Sequence, residues 1–303
     1  MNFNLTILGT GSAIPSFGRF SSSQVLQTHN KSFMIDCADG TQFQLRKYEV
    51  KTNRMGHVFI SHLHGDHCFG LISVISTLGM LHHTNDMYIH AHPDLKKTLQ
   101  PMLDYFCKDL TFKVFFEDFD PLKNEVIYED RSIKVSTIPL VHSMPTCGFL
   151  FKEKEGLPHI DGELVKFYKI GVKEIQNIKN GADFIDENGR LVPNSRLITS
   201  PTPPKSYAYC SDTAYTERII PIIEGVDTLF HEATFAEAER HRCKATLHST
   251  ASDAAHIAKM ANVKQLIIGH YSARYADLNP LLDEAKAIFP NTKLSTDGSK
   301  FSW

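Results

Sequence analysis

An apolar run, His57-Val58-Phe59-Ile60-Ser61, stops abruptly at His62-Leu63-His64-Gly65-Asp66-His67, which packs four ligand-type side chains into six positions. The run has the composition of a β-strand. Residues two apart in extended backbone point the same way, so the His62 and His64 imidazoles converge on one cation. Asp66 and His67 then fall on the turn into the next helix and face a second ion. A lone His-x-His is commonly two surface histidines; four such residues directly after a strand mark a metal site. Imidazole and carboxylate without cysteine suit Zn²⁺, with Mn²⁺ or Fe as alternatives, whereas Mg²⁺ sites are dominated by oxygen.

A metal site at a strand end restricts where its other ligands lie, because functional loops gather at the edge of a sheet. Three residues meet the condition. His142 follows the strand Ile133–Ile138, Asp212 closes Tyr207–Ser211, and His270 closes Gln265–Gly269. This gives one zinc His62, His64 and His142, gives the other Asp66, His67 and His270, and makes Asp212 the bridge between them, with a water or hydroxide completing the site. His231 is read as a hydrogen-bond partner rather than a ligand. No chemistry is assigned to His29, His82, His83, His90, His92, His159, His241 or His256.

Short β-rich runs alternate with helical patterns. Strands are predicted at Phe3–Leu8, Ser32–Asp36, His57–Ser61, Met87–His90, Lys113–Phe116, Ile133–Ile138, Gly148–Phe151, Tyr207–Cys210, Thr228–Phe230, Gln265–Ile268 and Lys293–Ser295. Helices are predicted at Gly70–Leu81, Leu95–Phe106, Ser249–Met260 (N-capped by Ser249 or Thr250) and Asn279–Ile288. The mixture indicates an α/β layered architecture. At 303 residues with 42 % hydrophobic and 22 % charged, the chain builds a sizeable core without disulfides. Its six cysteines are scattered with no Cys-x-x-Cys, which fits reduced thiols in the cytoplasm. The N-terminus lacks a signal-peptide pattern, and no apolar stretch approaches the ~20 residues that span a bilayer. The net charge of −2 excludes an overall basic field, so a nucleic-acid substrate must be drawn in by local groups and metal.

The ligand series from Leu8-Gly9-Thr10-Gly11 to His270 resembles the metallo-β-lactamase fold superfamily, whose signature is His-x-His-x-Asp-His followed by a distant His, Asp and His. The resemblance implies an αββα sandwich with metals at one edge. His231-Glu232-Ala233-Thr234, His248-Ser249-Thr250 and His270-Tyr271-Ser272-Ala273-Arg274-Tyr275 narrow it to the ribonuclease Z family, the tRNA 3′-processing endonucleases, in their short form. The resemblance implies that His248 protonates the leaving 3′-oxygen, that Glu232 orients and charges it, and that Asp66 handles the nucleophile's proton. Two Zn²⁺, two carboxylates and a hydroxide sum to roughly +1, a site suited to a phosphodiester anion. Arg274 is a candidate phosphate contact. Relatives of the short form are homodimers, so a homodimer acting on precursor tRNA is the expected assembly.

Two segments depart from the family. Its usual Pro-x-Lys-x-Arg-Asn loop reads Pro15-Ser16-Phe17-Gly18-Arg19-Phe20 here: Pro15 and Arg19 match, while Phe17 and Phe20 replace Lys and Asn; Arg19 is a candidate substrate contact, and the two aromatics are candidates for packing or for stacking on unpaired bases. The stretch from Lys152 to Lys205 is polar and turn-rich and looks like an arm inserted at about 152–205 into a single 1–303 domain. It lacks the family arm's Gly-Pro motif, and nine Lys or Arg against eight Asp or Glu between Leu150 and Ser206 predict few phosphate contacts from it. A broader phosphodiesterase or small-ester hydrolase on the same fold remains the alternative.

Overall fold

The computed structural model describes residues 2–16 and 18–303; Phe17, one of the two loop aromatics, lies outside the described residues. In chain order the strands are β1 Asn4–Gly9, β2 Ser23–Thr28, β3 Lys31–Cys37, β4 Met55–Phe59, β5 Met87–Ala91, β6 Val114–Asp118, β7 Val126–Glu129, β8 Ile133–Pro139 and β9 Cys147–Glu153. Four two-residue strands follow, β10 His159–Ile160, β11 Phe184–Ile185, β12 Leu191–Val192 and β13 Ile198–Thr199. The series ends with β14 Ser206–Cys210, β15 Thr228–Glu232, β16 Gln265–Gly269, β17 Thr292–Leu294 and β18 Lys300–Ser302.

Two seven-stranded sheets result, ordered β18-β1-β2-β3-β4-β5-β6 and β17-β16-β15-β14-β9-β8-β7. Both are mixed: β3 to β6 run parallel in the first, as do β14 to β17 in the second. Period-two alternation on β9 sends Phe149 and Phe151 inward, where they meet Phe59 of β4 at 5.5 and 5.4 Å between ring centres. Outside the first sheet, the helix Asp94–Phe106 buries Leu95, Leu99 and Leu103 at i, i+4 and i+8, and Leu71–Met80 buries Leu71, Val74, Ile75 and Leu78. The helices Ala251–Met260 and Asn279–Ile288 cover the second sheet. This is the αββα sandwich expected. Thr250 is the N-cap of Ala251–Met260 and closes a capping box with Asp253, both bonds 3.1 Å, which stabilises that helix by about 1 kcal/mol.

The stretch read as a polar arm has its own structure. Residues 153–204, with 130–133, make a second compact unit around Ile170, Ile178, Val192 and Leu197. It holds the helices Gly162–Phe167, capped by the Asp161 carboxylate, and Val172–Lys179. Among the described residues no helix is long and apolar enough to cross a membrane.

The inner layer contains one unusual pair. His57 Nδ1 lies 3.1 Å from His90 Nε2, and the His90 ring stacks on Phe59 at 4.4 Å. Burial, aided by Lys31, pulls His57 down to about 4, and burial with His57 pulls His90 to about 3. Both are therefore neutral in the fold, while the unfolded chain protonates them near 6.5. Stability from this pair is full above pH 6.5 and is lost as pH falls towards 4, because the unfolded state then binds more protons. For His57 alone the loss is roughly 3 kcal/mol, at ~1.4 kcal/mol per pH unit. Urea unfolding of His90→Phe, which keeps the stack, is expected to show a shallower fall in stability between pH 6.5 and 5 than the parent. Equal slopes would refute this account of the pair.

Candidate metal centre and catalytic site

The parallel strands carry the site at their C-terminal ends. Backbone leaving β4 delivers His62 and His64, and the short helix Gly65–Cys68 delivers Asp66 and His67. Beyond β8 comes His142, beyond β14 Asp212, and beyond β16 His270, so all seven residues read from the sequence as ligands meet.

They form two clusters that share Asp212. In the first, His62 Nε2 and His64 Nδ1 are 3.1 Å apart, and His64 Nδ1 and His142 Nε2 are 3.3 Å apart. Asp212 Oδ2 lies 3.7 Å from His62 Nε2 and 3.9 Å from His142 Nε2. In the second, Asp212 Oδ1 stands 3.2 Å from His270 Nε2 and 3.4 Å from His67 Nε2, while Asp66 Oδ2 is 3.6 and 3.5 Å from the same two atoms. Ligands ~2.0–2.1 Å from a tetrahedral Zn²⁺ are themselves ~3.3 Å apart, so both clusters have the edge lengths of a coordination cage.

Tautomers agree with this. His142 Nδ1 donates to the Leu247 carbonyl at 3.0 Å, His67 Nδ1 to Asp36 at 2.7 Å, and His270 Nδ1 to the Thr234 hydroxyl at 2.9 Å. With Nδ1 protonated, each Nε2 presents a lone pair to its cluster. Asp66 Oδ2, His67 Nε2, Asp212 Oδ1 and His270 Nε2 are all buried without a hydrogen-bond partner. Four orphaned acceptors facing one point are costly to the fold unless a cation sits among them. Burial lowers His62 and His142, keeping them neutral as ligands must be. Burial opposes charge on His67, yet Asp212 and Asp36 hold it well above its usual range, so the local field favours positive charge at this point. Divalent cations fit the residues present.

Sequence reading missed Asp36. This wholly buried carboxylate accepts from Ser61 N at 2.8 Å, Ser61 Oγ at 2.9 Å, Tyr209 OH at 2.6 Å and His67 Nδ1. It ties β3, β4 and β14 to one ligand and fixes that ligand's orientation. A single Asp inside a predicted strand carries no spacing signal. Asp36, Leu247 and His270 have φ of 53, 55 and 62°, left-handed values that cost non-glycine residues about 1–2 kcal/mol each.

Beside the second cluster, His248 Nδ1 meets Glu232 Oε1 at 2.9 Å. Glu232 also accepts from Thr213 N, Thr234 N and the Thr234 hydroxyl, at 3.0, 3.0 and 2.7 Å. Glu232, His248 and His270 also lie close enough together to surround an ion, but these four bonds use the acceptor sites of the Glu232 carboxylate and leave it held against His248. Burial works against charge on His248, but Glu232 outweighs it and raises the imidazole to about 9. His231 turns Nδ1 to the Glu232 carbonyl, outside both clusters.

A cavity of about 680 Å³ opens over the clusters, and His248, Arg274 and His241 are among the residues lining it. His241, assigned no chemistry from the sequence, thus stands on the cavity wall. Arg19 is committed elsewhere: it donates to Ser16 Oγ and to the Ser272 and Tyr275 carbonyls, bracing its loop against the segment after His270. Phe20 lies against Gly40, whose φ of 81° and lack of a Cβ make room for the ring. The residue stays 38 % exposed, and Phe20 is not among the residues lining the cavity.

An αββα sandwich with twin His/Asp clusters at the parallel strand ends defines a hydrolase of the metallo-β-lactamase fold. The chain belongs to the ribonuclease Z family: it is 54 % identical over 300 residues to the ribonuclease Z of Phocaeicola vulgatus, covering 99 % of this chain and 97 % of that one. The ribonuclease Z of Bacteroides thetaiotaomicron is 52 % identical over 97 % of this chain and 93 % of its own. The crystal structure of the short form of human tRNase Z shares the fold, with a TM-score of 0.69 at 23 % identity over 98 % of both chains. A family model described as anti-Pycsar protein Apyc1 matches residues 3–159, a span that ends before Asp212, Glu232, His248 and His270.

Proposed function

We propose that this chain is a two-zinc endoribonuclease that removes the 3′ trailer of precursor tRNA by hydrolysing one phosphodiester. The observation that carries it is Asp212, whose two carboxylate oxygens face separate ligand clusters beside the hydrogen-bonded Glu232–His248 pair. His62, His64, His142 and Asp212 would hold one cation, and Asp66, His67, His270 and Asp212 the other. Cations bound there supply an acidified water and positive charge against the scissile phosphate.

The chain's own groups do the rest. His248, held through Nδ1, is placed to give a proton to the departing 3′-oxygen, and Asp66 to take one from the attacking water. Arg274 on the cavity wall is placed to hold phosphate. The unit at 153–204 serves as the arm that docks the RNA, and the family's homodimer and a cytoplasmic setting complete the reading.

Incubated with Zn²⁺ and a trailer-bearing precursor tRNA, the protein is expected to release the trailer as one fragment, seen as a single cut on a gel. The alternative is a broader phosphodiesterase on the same fold. Hydrolysis of bis(p-nitrophenyl) phosphate with no cut in the precursor would establish that reading instead.

A further inference from the structure

We infer that Arg242 and Arg274, joined through Glu239, form a two-guanidinium clamp on a backbone phosphate of the RNA next to the scissile one; this rests on the endoribonuclease reading above. The helix Arg240–Thr246 lines the cavity with His241 and Arg242 and, one turn later, Ala245 and Thr246, a stripe set by the i, i+4 repeat. It is anchored at its start by Arg240, which reaches Asp253 at 2.7 Å and Thr250 at 3.3 Å. At its end Leu247 turns through a left-handed φ of 55° directly into His248. The wall carrying Arg242 is therefore continuous with the group placed at the leaving oxygen.

Glu239 Oε2 accepts from Arg242 Nε and, at 3.3 Å, from Arg274 Nη1. Arg274 is further fixed by Ser272 Oγ at 3.0 Å and by the Phe235 ring, 5.5 Å from its Cζ. One carboxylate between two guanidinium groups leaves a net charge of about +1 at the mouth of the cavity. Among the described residues, the Nη groups of Arg242 and Nη2 of Arg274 have no hydrogen-bond partner, leaving donor pairs of the kind that bind phosphate oxygens. An exposed i, i+3 ion pair contributes little to stability. A chain of net charge −2 needs a local site of this kind to receive an RNA strand.

The test is binding of a labelled precursor tRNA, its scissile 3′-oxygen replaced by methylene to block hydrolysis, to the zinc-loaded protein over a range of KCl. Arg242→Gln is expected to raise Kd about tenfold and to flatten the log Kd–log salt slope by about 0.7. Arg242→Lys should keep the parent slope. Unchanged Kd and slope in Arg242→Gln, with the parent cutting cleavable precursor, would overturn the clamp alone. The expected shifts in a parent that binds but never cuts would keep the clamp and remove the endonuclease reading. A parent that does not bind the RNA would overturn both. Thermal unfolding of each variant confirms that the fold is kept.

Discussion

Asp212→Asn is expected to reduce kcat/KM on precursor tRNA by at least ~10³-fold and to lower the divalent metal bound per chain below that of the parent. The amide has one oxygen where the carboxylate has two, and in this fold the two oxygens serve different clusters: Oδ2 faces His62 and His142, and Oδ1 faces His67 and His270. The substitution also removes one of the negative charges that would offset cations bound in this buried site. Asp36→Asn provides the scale, since Asp36 holds His67 without belonging to either cluster, and such partners are worth about 10–100-fold. Chelation separates a lost ligand from a damaged fold. Each cation at 1,000 times its Kd stabilises the native state by about 4 kcal/mol, so chelator should lower the parent's Tm clearly and the variant's far less. Asp212→Asn that keeps the parent's metal content and activity within tenfold of the parent would remove the bridging role.

The ligands were readable because each obeys a local rule. His62 and His64 are two apart on extended backbone, and Asp212, His142 and His270 each follow a β-rich run, so a sheet that gathers its parallel strand ends must gather them too. The α/β layering followed from the alternation of β-rich and helical runs, while the αββα order came from the family resemblance. β2 was not readable: Ser23-Gln24-Val25-Leu26-Gln27-Thr28 looks half polar, yet Gln24 is buried because Tyr207 OH donates to it at 2.5 Å from the opposite sheet. Its turn is equally quiet, since His29 and Asn30 both take positive φ without glycine. Asp36 was hidden for the same reason, its partners lying 25, 31 and 173 residues away. In the 153–204 unit, helices of six and eight residues are too short for periodicity to rise above polar composition.

His248→Ala is expected to lower kcat on precursor tRNA by about 10²–10⁴-fold while the bound metal stays at the parent's level. His248 stands outside the two clusters that share Asp212. What it loses is a ring whose Nδ1 is fixed by Glu232 and whose other nitrogen remains for the substrate side. A nitrophenolate departs without a proton, so the same variant should lose at most about tenfold on bis(p-nitrophenyl) phosphate, and the ratio of the two losses isolates leaving-group protonation. The pH profile gives an independent sign. Burial pulls His248 down, but the Glu232 carboxylate and its hydrogen bond outweigh this and raise it to about 9, so the charged, proton-giving form prevails at neutral pH. Glu232→Gln removes the negative charge that favours imidazolium and should move the alkaline limb of the kcat profile to lower pH by about one unit or more. A limb that stays in place in Glu232→Gln, together with equal losses on both substrates in His248→Ala, would show that the pair only shapes the cavity wall between β15 and the helix Ala251–Met260.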